Sequence, residues 1–206
     1  MISLYQLKPQ FQALLRPMVG ALARMGVTAN AITLFAMLVS CALGAFLFGI
    51  PDKAFFLLLP LWMFLRMGLN AVDGMLAREF GQKSRLGAYL NEVSDVVSDA
   101  ALYLPFVCQP PFGWASVGAV IFLSALSEMT GALAPMIGAR RCYDGPMGKS
   151  DRALVFAALG LWLGLVGSLP AWTFWLMPAC AVLIVMNIVN RMRSGLKQTA
   201  HLPLEY

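Results

Sequence analysis

Residues 66–99 read RMGLNAVDGMLAREFGQKSRLGAYLNEVSDVVSD, and the fold turns on how this stretch is read. Apolar runs flank a short polar break, EFGQKSR at 79–85, yet amide, acidic and basic side chains recur inside those runs. Ionisable groups within a membrane span are costly and mark functional positions. Arg66, Asn70, Asp73 and Ala77 fall at steps of three and four, with Gly74 and Arg78 beside them; Gly87, Asn91, Asp95 and Asp99 fall at steps of four. Such spacings share one helix face. The spacing therefore predicts two helices joined as a tight hairpin by the Gly-containing break. Folded about that break, Arg78 comes level with Gly87, Asn70 with Asp95 and Arg66 with Asp99, and Asp73 falls between Asn91 and Glu92.

The rest of the 206-residue chain supports a membrane setting: 60% of it is hydrophobic and 12% charged, with a mean hydropathy of +0.74. A soluble domain is nearer half apolar and a quarter charged. The expected fold class is an all-α integral membrane protein, with six transmembrane helices and an amphipathic cytoplasmic segment at the N-terminus. Residues 1–206 are expected to form one domain, with 1–27 juxtamembrane, about 28–193 the six-helix bundle and 194–206 a cytoplasmic tail. The spans are placed near 30–50, 54–78, 86–108, 114–138, 151–168 and 171–191, each close to the ~20 residues that a bilayer needs. The N-terminal segment carries Lys8, Arg16 and Arg24 among apolar residues and is expected to break near Pro9 and Pro17. Arg and Lys recur in that segment, in the 78–85 and 140–152 loops and in the tail, whereas the opposite loops hold only Lys53. By the positive-inside rule both termini face the cytoplasm, in a bacterial inner membrane.

The net charge of +5 is spread over these short loops with no basic-aromatic patch, so no nucleic-acid partner is expected; membrane lipids are. Cys41, Cys108, Cys142 and Cys180 have no zinc spacing, and the only histidine, His201, lies in the tail. Histidine catalysis and a His-based metal site are thereby disfavoured. Facing carboxylates at a cytoplasmic mouth select hard cations, Mg²⁺ or Mn²⁺. Such an ion can clamp a diphosphate, and a neighbouring carboxylate can take a proton from an attacking hydroxyl. The residues alone thus point to metal-dependent phosphoryl-type transfer on an amphiphilic substrate.

The same positions resemble the CDP-alcohol phosphotransferase (CDP-alcohol phosphatidyltransferase) signature, D-x2-D-G-x2-A-R-x8-G-x3-D-x3-D. Asn70, Asp73, Gly74, Ala77, Arg78, Gly87, Asn91 and Asp95 occupy its places, so two of its four acidic positions are Asn, as in a variant bacterial subgroup. The resemblance implies transfer of a phosphatidyl group from a CDP-linked donor, CDP-diacylglycerol or another CDP-alcohol, to an alcohol acceptor with release of CMP. It further implies phospholipid biosynthesis and a homodimer. It makes Asp95 the general base, Asp73, Asp95, Asn70 and Asn91 the metal positions, and Asp73, Gly74, Ala77, Arg78 and Gly87 the CDP site. Asn30 and Thr33 resemble the family's PN-x2-T motif at the head of the first span, with Ala29 in place of Pro; ordinary helix capping by Thr28 or Asn30 is the alternative.

Four further features stand outside the signature. Lys149 and Arg152 head the fifth span, where they would hold an anionic acceptor head group or only set topology. Glu128, in the fourth span, would face the substrate cavity or neutralise Arg66. Asp99 would pair with Arg66, or replace the charge missing at Asn91; two helical turns, ~11 Å, separate those two positions, which is too far for one ion. Asn187 and Asn190 suggest interhelical hydrogen bonds. The neutral Asn70 and Asn91 also leave room for a catalytically impaired homologue that binds lipid or nucleotide. A transporter would call for an internal repeat, and none is evident.

Overall fold

The computed structural model describes residues 4–200, the side chains of 4–10 excepted. The first three residues of the N-terminal segment, the Lys8 side chain and the end of the tail with His201 lie outside the described residues. Seven α-helices follow in order: α1 (Leu4–Arg24), α2 (Ala29–Gly49), α3 (Leu58–Glu79), α4 (Arg85–Tyr103), α5 (Trp114–Leu133), α6 (Lys149–Val166) and α7 (Leu176–Thr199). Short 3-10 turns extend four of them: Lys53–Leu57 leads into α3, Leu104–Cys108 follows α4, Ala134–Ile137 follows α5 and Ala171–Trp175 leads into α7. No strand occurs among the described residues.

Four segments, Ala29–Gly49, Lys53–Glu79, Trp114–Ile137 and Ala171–Thr199, are long and apolar enough to cross a membrane. The expected spans at 86–108 and 151–168 correspond to α4 and α6. These are the helices that carry Glu92, Asp95 and Asp99, and Lys149, Asp151 and Arg152. Large apolar side chains such as Phe35, Leu38, Phe122, Leu154 and Leu165 point outward from α2, α5 and α6.

α1 runs unbroken through Pro9 and Pro17, contrary to the break expected there. A proline inside a helix forfeits a backbone hydrogen bond. Here packing compensates: Val19, with Leu15 and Leu22 beside it, lies on Val72, Met75 and Leu76 of α3. An exposed Arg16–Glu79 ion pair joins the same two helices at 2.9 Å, and its hydrogen bond raises the Arg16 pKa above the ordinary guanidinium value.

The expected tight hairpin of α3 on α4 does not form. Both helices pack instead on α2, which is the principal partner of α4. The cause lies in small residues. A Cβ at Gly44 of α2 would sit 2.2 Å from the Ala101 carbonyl oxygen of α4, so only glycine lets these backbones meet so closely. α3 and α4 are left splayed around a cleft at the end of the bundle where the 80–84 loop joins them. The other end is closed by the main hydrophobic core, where Phe56, Tyr103, Phe106 and Phe156 meet; Tyr103 stacks on Phe156 with ring centroids 3.8 Å apart. α6 packs on α3, and α5 on α7.

Candidate functional site

The cleft between α3 and α4 encloses about 460 Å³. Its walls bring together Asn30 and Thr33 from α2, Asp73, Gly74, Ala77 and Arg78 from α3, and Gly87 and Asn91 from α4. Each wall is fixed locally. Thr28 caps α2, its hydroxyl accepting from the Ala31 amide at 3.1 Å, so capping falls to Thr28 and leaves the Asn30 side chain facing the cleft. The Thr33 hydroxyl lies 2.8 Å from Asp73 Oδ2 and 3.1 Å from the Ala29 carbonyl. Ser84 caps α4 through the Gly87 amide at 2.9 Å. A Cβ at Gly87 would stand 2.8 Å from Asn30 Oδ1, so glycine is what admits Asn30 to this wall.

Sequence reasoning gave no site role to the lining residues Gln82, Lys83 and Ser84, whereas Glu92 stood beside Asp73 by register. Gln82 accepts from the Ala29 amide at 2.7 Å and donates to the Val27 carbonyl at 3.3 Å, tying the loop to the head of α2. Lys83 and Glu92 complete the rim. The polar EFGQKSR break was a usable signal, but its residues read first as turn formers.

Asn70 and Asp95 lie outside the lining, each one helical turn farther from the loop than Asp73 and Asn91. Asp95 Oδ1 takes two cations: Arg66 Nη2 at 3.2 Å and the Lys149 ammonium. Its Oδ2 has no hydrogen-bond partner among the described residues. Arg66 also donates to Asp99 Oδ1 at 2.5 Å, and both of those residues are buried. Lys149 is thus drawn to a signature carboxylate.

Arg152 departs from the surface position expected of it. It is 1% exposed, donates to Glu128 Oε1 at 2.8 Å and to the Met147 carbonyl at 3.1 Å, and comes within 3.9 Å of Asp99. Glu128 does not neutralise Arg66, because α5 turns it toward α6 and α7. It gathers Arg152, Arg191 at 3.4 Å and Arg141 at 3.4 Å, and Arg141 also pairs with Glu92. Beside Glu128, Ser127 donates to Asn187 Oδ1 at 2.8 Å, and Asn187 donates to the Pro146 carbonyl at 2.9 Å. Asn187 therefore makes an interhelical bond.

Among the described residues no three His, Cys, Asp or Glu side chains cluster as metal ligands. At the signature positions the donors available are the carboxylates of Asp73 and Asp95 and the side-chain amides of Asn70 and Asn91, all hard oxygen. Asp73 has a neutral hydroxyl partner and no cation in contact, in a cleft open to water, and this suits one hard divalent ion. Arg78 and Lys83, on the same walls, have no carboxylate within ion-pair distance among the described residues. Carboxylate beside unpaired cations at an open mouth can receive a metal-bound diphosphate.

Known proteins resemble the chain in both sequence and fold. Residues 26–189 match the family model described as CDP-alcohol phosphatidyltransferase. The chain is 47% identical, over 98% of its length and 100% of the relative's, to the Escherichia coli inner membrane protein YnbA. It is 25% identical to the phosphatidylinositol phosphate synthase of Mycobacteroides abscessus, over 90% of this chain and 86% of that one. Among solved structures, the Mycobacterium tuberculosis phosphatidylinositol phosphate synthase with CDP-DAG bound shares the fold, with a TM-score of 0.74 at 20% identity, covering 92% of this chain and 97% of that one. The same enzyme in complex with manganese and citrate gives a TM-score of 0.75 at 20% identity, covering 92% of each chain. The chain belongs to the CDP-alcohol phosphatidyltransferase family.

Proposed function

We propose that this family member transfers the phosphatidyl group of CDP-diacylglycerol to an alcohol acceptor and releases CMP, as a step of phospholipid biosynthesis. One observation carries the reading: Asp73, with a hydroxyl partner and no cation in contact, shares an open cleft with Arg78 and Lys83, which have no carboxylate partner among the described residues. A diphosphate needs both a metal-binding carboxylate and free cations.

In the proposed reaction the acceptor hydroxyl attacks the lipid-side phosphorus and the bond to the CMP oxygen breaks. Asp95 takes the hydroxyl proton; both of its cations sit on Oδ1, which leaves Oδ2 to receive it. Arg78 and Lys83 orient the CDP phosphates, and Gly74, Ala77 and Gly87 let the nucleotide approach the backbone. Mg²⁺ or Mn²⁺, held by Asp73 with the amide oxygens of Asn70 and Asn91, supplies Lewis-acid neutralisation of phosphate charge when bound. The relative solved with manganese supports that choice of ion. Lys149 remains the candidate contact for the acceptor, whereas Arg152 and Glu128 would act there only by shaping the wall.

The proposal places a single domain of six crossings in a bacterial inner membrane, α4 and α6 included, with α1 on the cytoplasmic face and both termini cytoplasmic. Homodimer formation is part of the same reading. Six crossings are supported by the way α4 and α6 turn their charged residues onto partners within the bundle.

One observation favours a second reading, a catalytically impaired homologue that binds lipid or nucleotide. Two signature positions are amides, and the base position is already in contact with two cations. Purified protein incubated with CDP-diacylglycerol, Mg²⁺ and a pool of alcohols decides between them. CMP release together with a new phospholipid by mass spectrometry is expected; CDP-diacylglycerol binding without CMP release selects the impaired homologue.

A further inference from the structure

We propose that Lys149 keeps a divalent cation off Asp95, so that this chain works with one metal ion, seated at Asp73. The inference rests on the metal-dependent transfer proposed above and deepens it. The two acidic positions that survive in the signature are treated differently. Asp73 has a hydroxyl partner and no cation in contact. Asp95 has Arg66 at 3.2 Å and the Lys149 ammonium on the same oxygen.

Lys149 is aimed at Asp95 by the way α6 begins. It is the first residue of the helix, after a Gly148 cap whose amide donates to Asp151 Oδ2 at 3.0 Å. One turn on, Arg152 pins the helix to Glu128 at 2.8 Å. Asp151 is therefore engaged with the cap, and the carboxylate left for Lys149 is Asp95. The pair is partly exposed, the Lys149 and Asp95 side chains by 28% and 20%, so the ammonium stands where an ion could otherwise reach Asp95.

Asp95 and Asp99 are met by Arg66, Lys149 and, at 3.9 Å, Arg152, so Asp73 is the one carboxylate of the three with no cation in contact. A divalent ion at Asp95, next to an ammonium and a guanidinium, would have no carboxylate free to hold it.

Titration of the detergent-solubilised full chain with Mn²⁺, read by the electron paramagnetic resonance of the free ion, tests this without turnover. One Mn²⁺ per chain is expected for the wild type. Lys149→Met should bind two, and Lys149→Arg should still bind one; melting temperatures show whether each variant is folded. Two Mn²⁺ in the wild type, or one only in a folded Lys149→Met, overturns the role of Lys149 and leaves the proposed transfer standing. No Mn²⁺ at all overturns this inference together with the metal-dependent reaction, and CMP release in chelator would then confirm which had failed.

Discussion

Arg78 and Lys83 stand around about 460 Å³ of open cleft with no carboxylate partner among the described residues. On the inner side of the same bundle, Arg66, Arg152 and Arg191 are 5%, 1% and 3% exposed, and each contacts at least one carboxylate. The space beside that inner network, between Asp99, Tyr103, Glu128 and Arg152, amounts to about 10 Å³, too little for a ligand. The difference follows from solvation. A guanidinium in water can stay unpaired until a substrate arrives, whereas a buried one must be compensated within the chain. On the proposed function, the cations thus divide by burial into a binding set and a structural set.

Asp95 lies on the border between the two sets, and its replacement should have the largest effect. Asp95→Asn keeps shape and removes the proton acceptor, so turnover should fall by roughly 10²–10⁴-fold. Folding and CDP-diacylglycerol binding should persist. Near wild-type CMP release would move Asp95 wholly into the structural set.

Glu128 should dominate stability. Glu128→Gln strips three arginines of their shared carboxylate, and breaking a buried pair costs about 3–5 kcal/mol. A clear loss of melting temperature in detergent is expected. Asp99→Leu should cost less, because Arg66 retains Asp95 at 3.2 Å. Arg66→Leu combined with Asp99→Leu should recover part of the loss caused by Arg66→Leu alone. If Glu128→Gln is as stable as the wild type, the inner network is not what holds α5, α6 and α7 together.

The cleft cations should behave in the opposite way. Arg78→Ala and Lys83→Ala should leave the melting temperature unchanged. Each removes a charged hydrogen bond to the donor, worth about 1.5–3 kcal/mol, so the donor KM should rise roughly tenfold or more. A stability loss without a KM effect would erase the distinction between the two sets.

The sequence made one set far more legible than the other. Apolar runs marked every helix from α2 to α6 within a few residues, because bilayer length and turn residues constrain them; α7 continues to Thr199, eight residues past the expected end at 191, because its last turns are polar. The cleft walls were readable because Asp73, Gly74, Ala77 and Arg78 lie on one helix, and Gly87 and Asn91 on the next. Arg66–Asp99 was readable from register, since an arginine is long enough to bridge splayed helices. Lys149–Asp95 and the arginines around Glu128 were not, because those pairs depend on how α6 and α7 pack, which no periodicity encodes. The tight α3–α4 hairpin was wrongly inferred for a related reason: Gly44 draws α4 onto α2, and a short connecting loop does not oblige two helices to touch.

The smallest effect belongs to an ion pair outside both sets. Arg16 and Glu79 meet at 2.9 Å with side chains 56% and 34% exposed. Exposed ion pairs gain little, because water screens them and two long side chains must be immobilised. α1 is held to α3 by apolar contacts, with Val19 fully buried against Val72, Met75 and Leu76. Arg16→Ala should therefore leave the melting temperature unchanged, and raising the salt concentration should have no effect that depends on the pair. Val19→Ala, which opens a cavity under α1, should lower it, since large-to-small changes at buried sites cost about 0.5 kcal/mol or more. The two variants touch the same pair of helices, so their ratio isolates geometry from charge. Should Arg16→Ala prove the more damaging of the two, α1 is docked by electrostatics, and the rule that burial decides what a cation does in this molecule fails at its most exposed example.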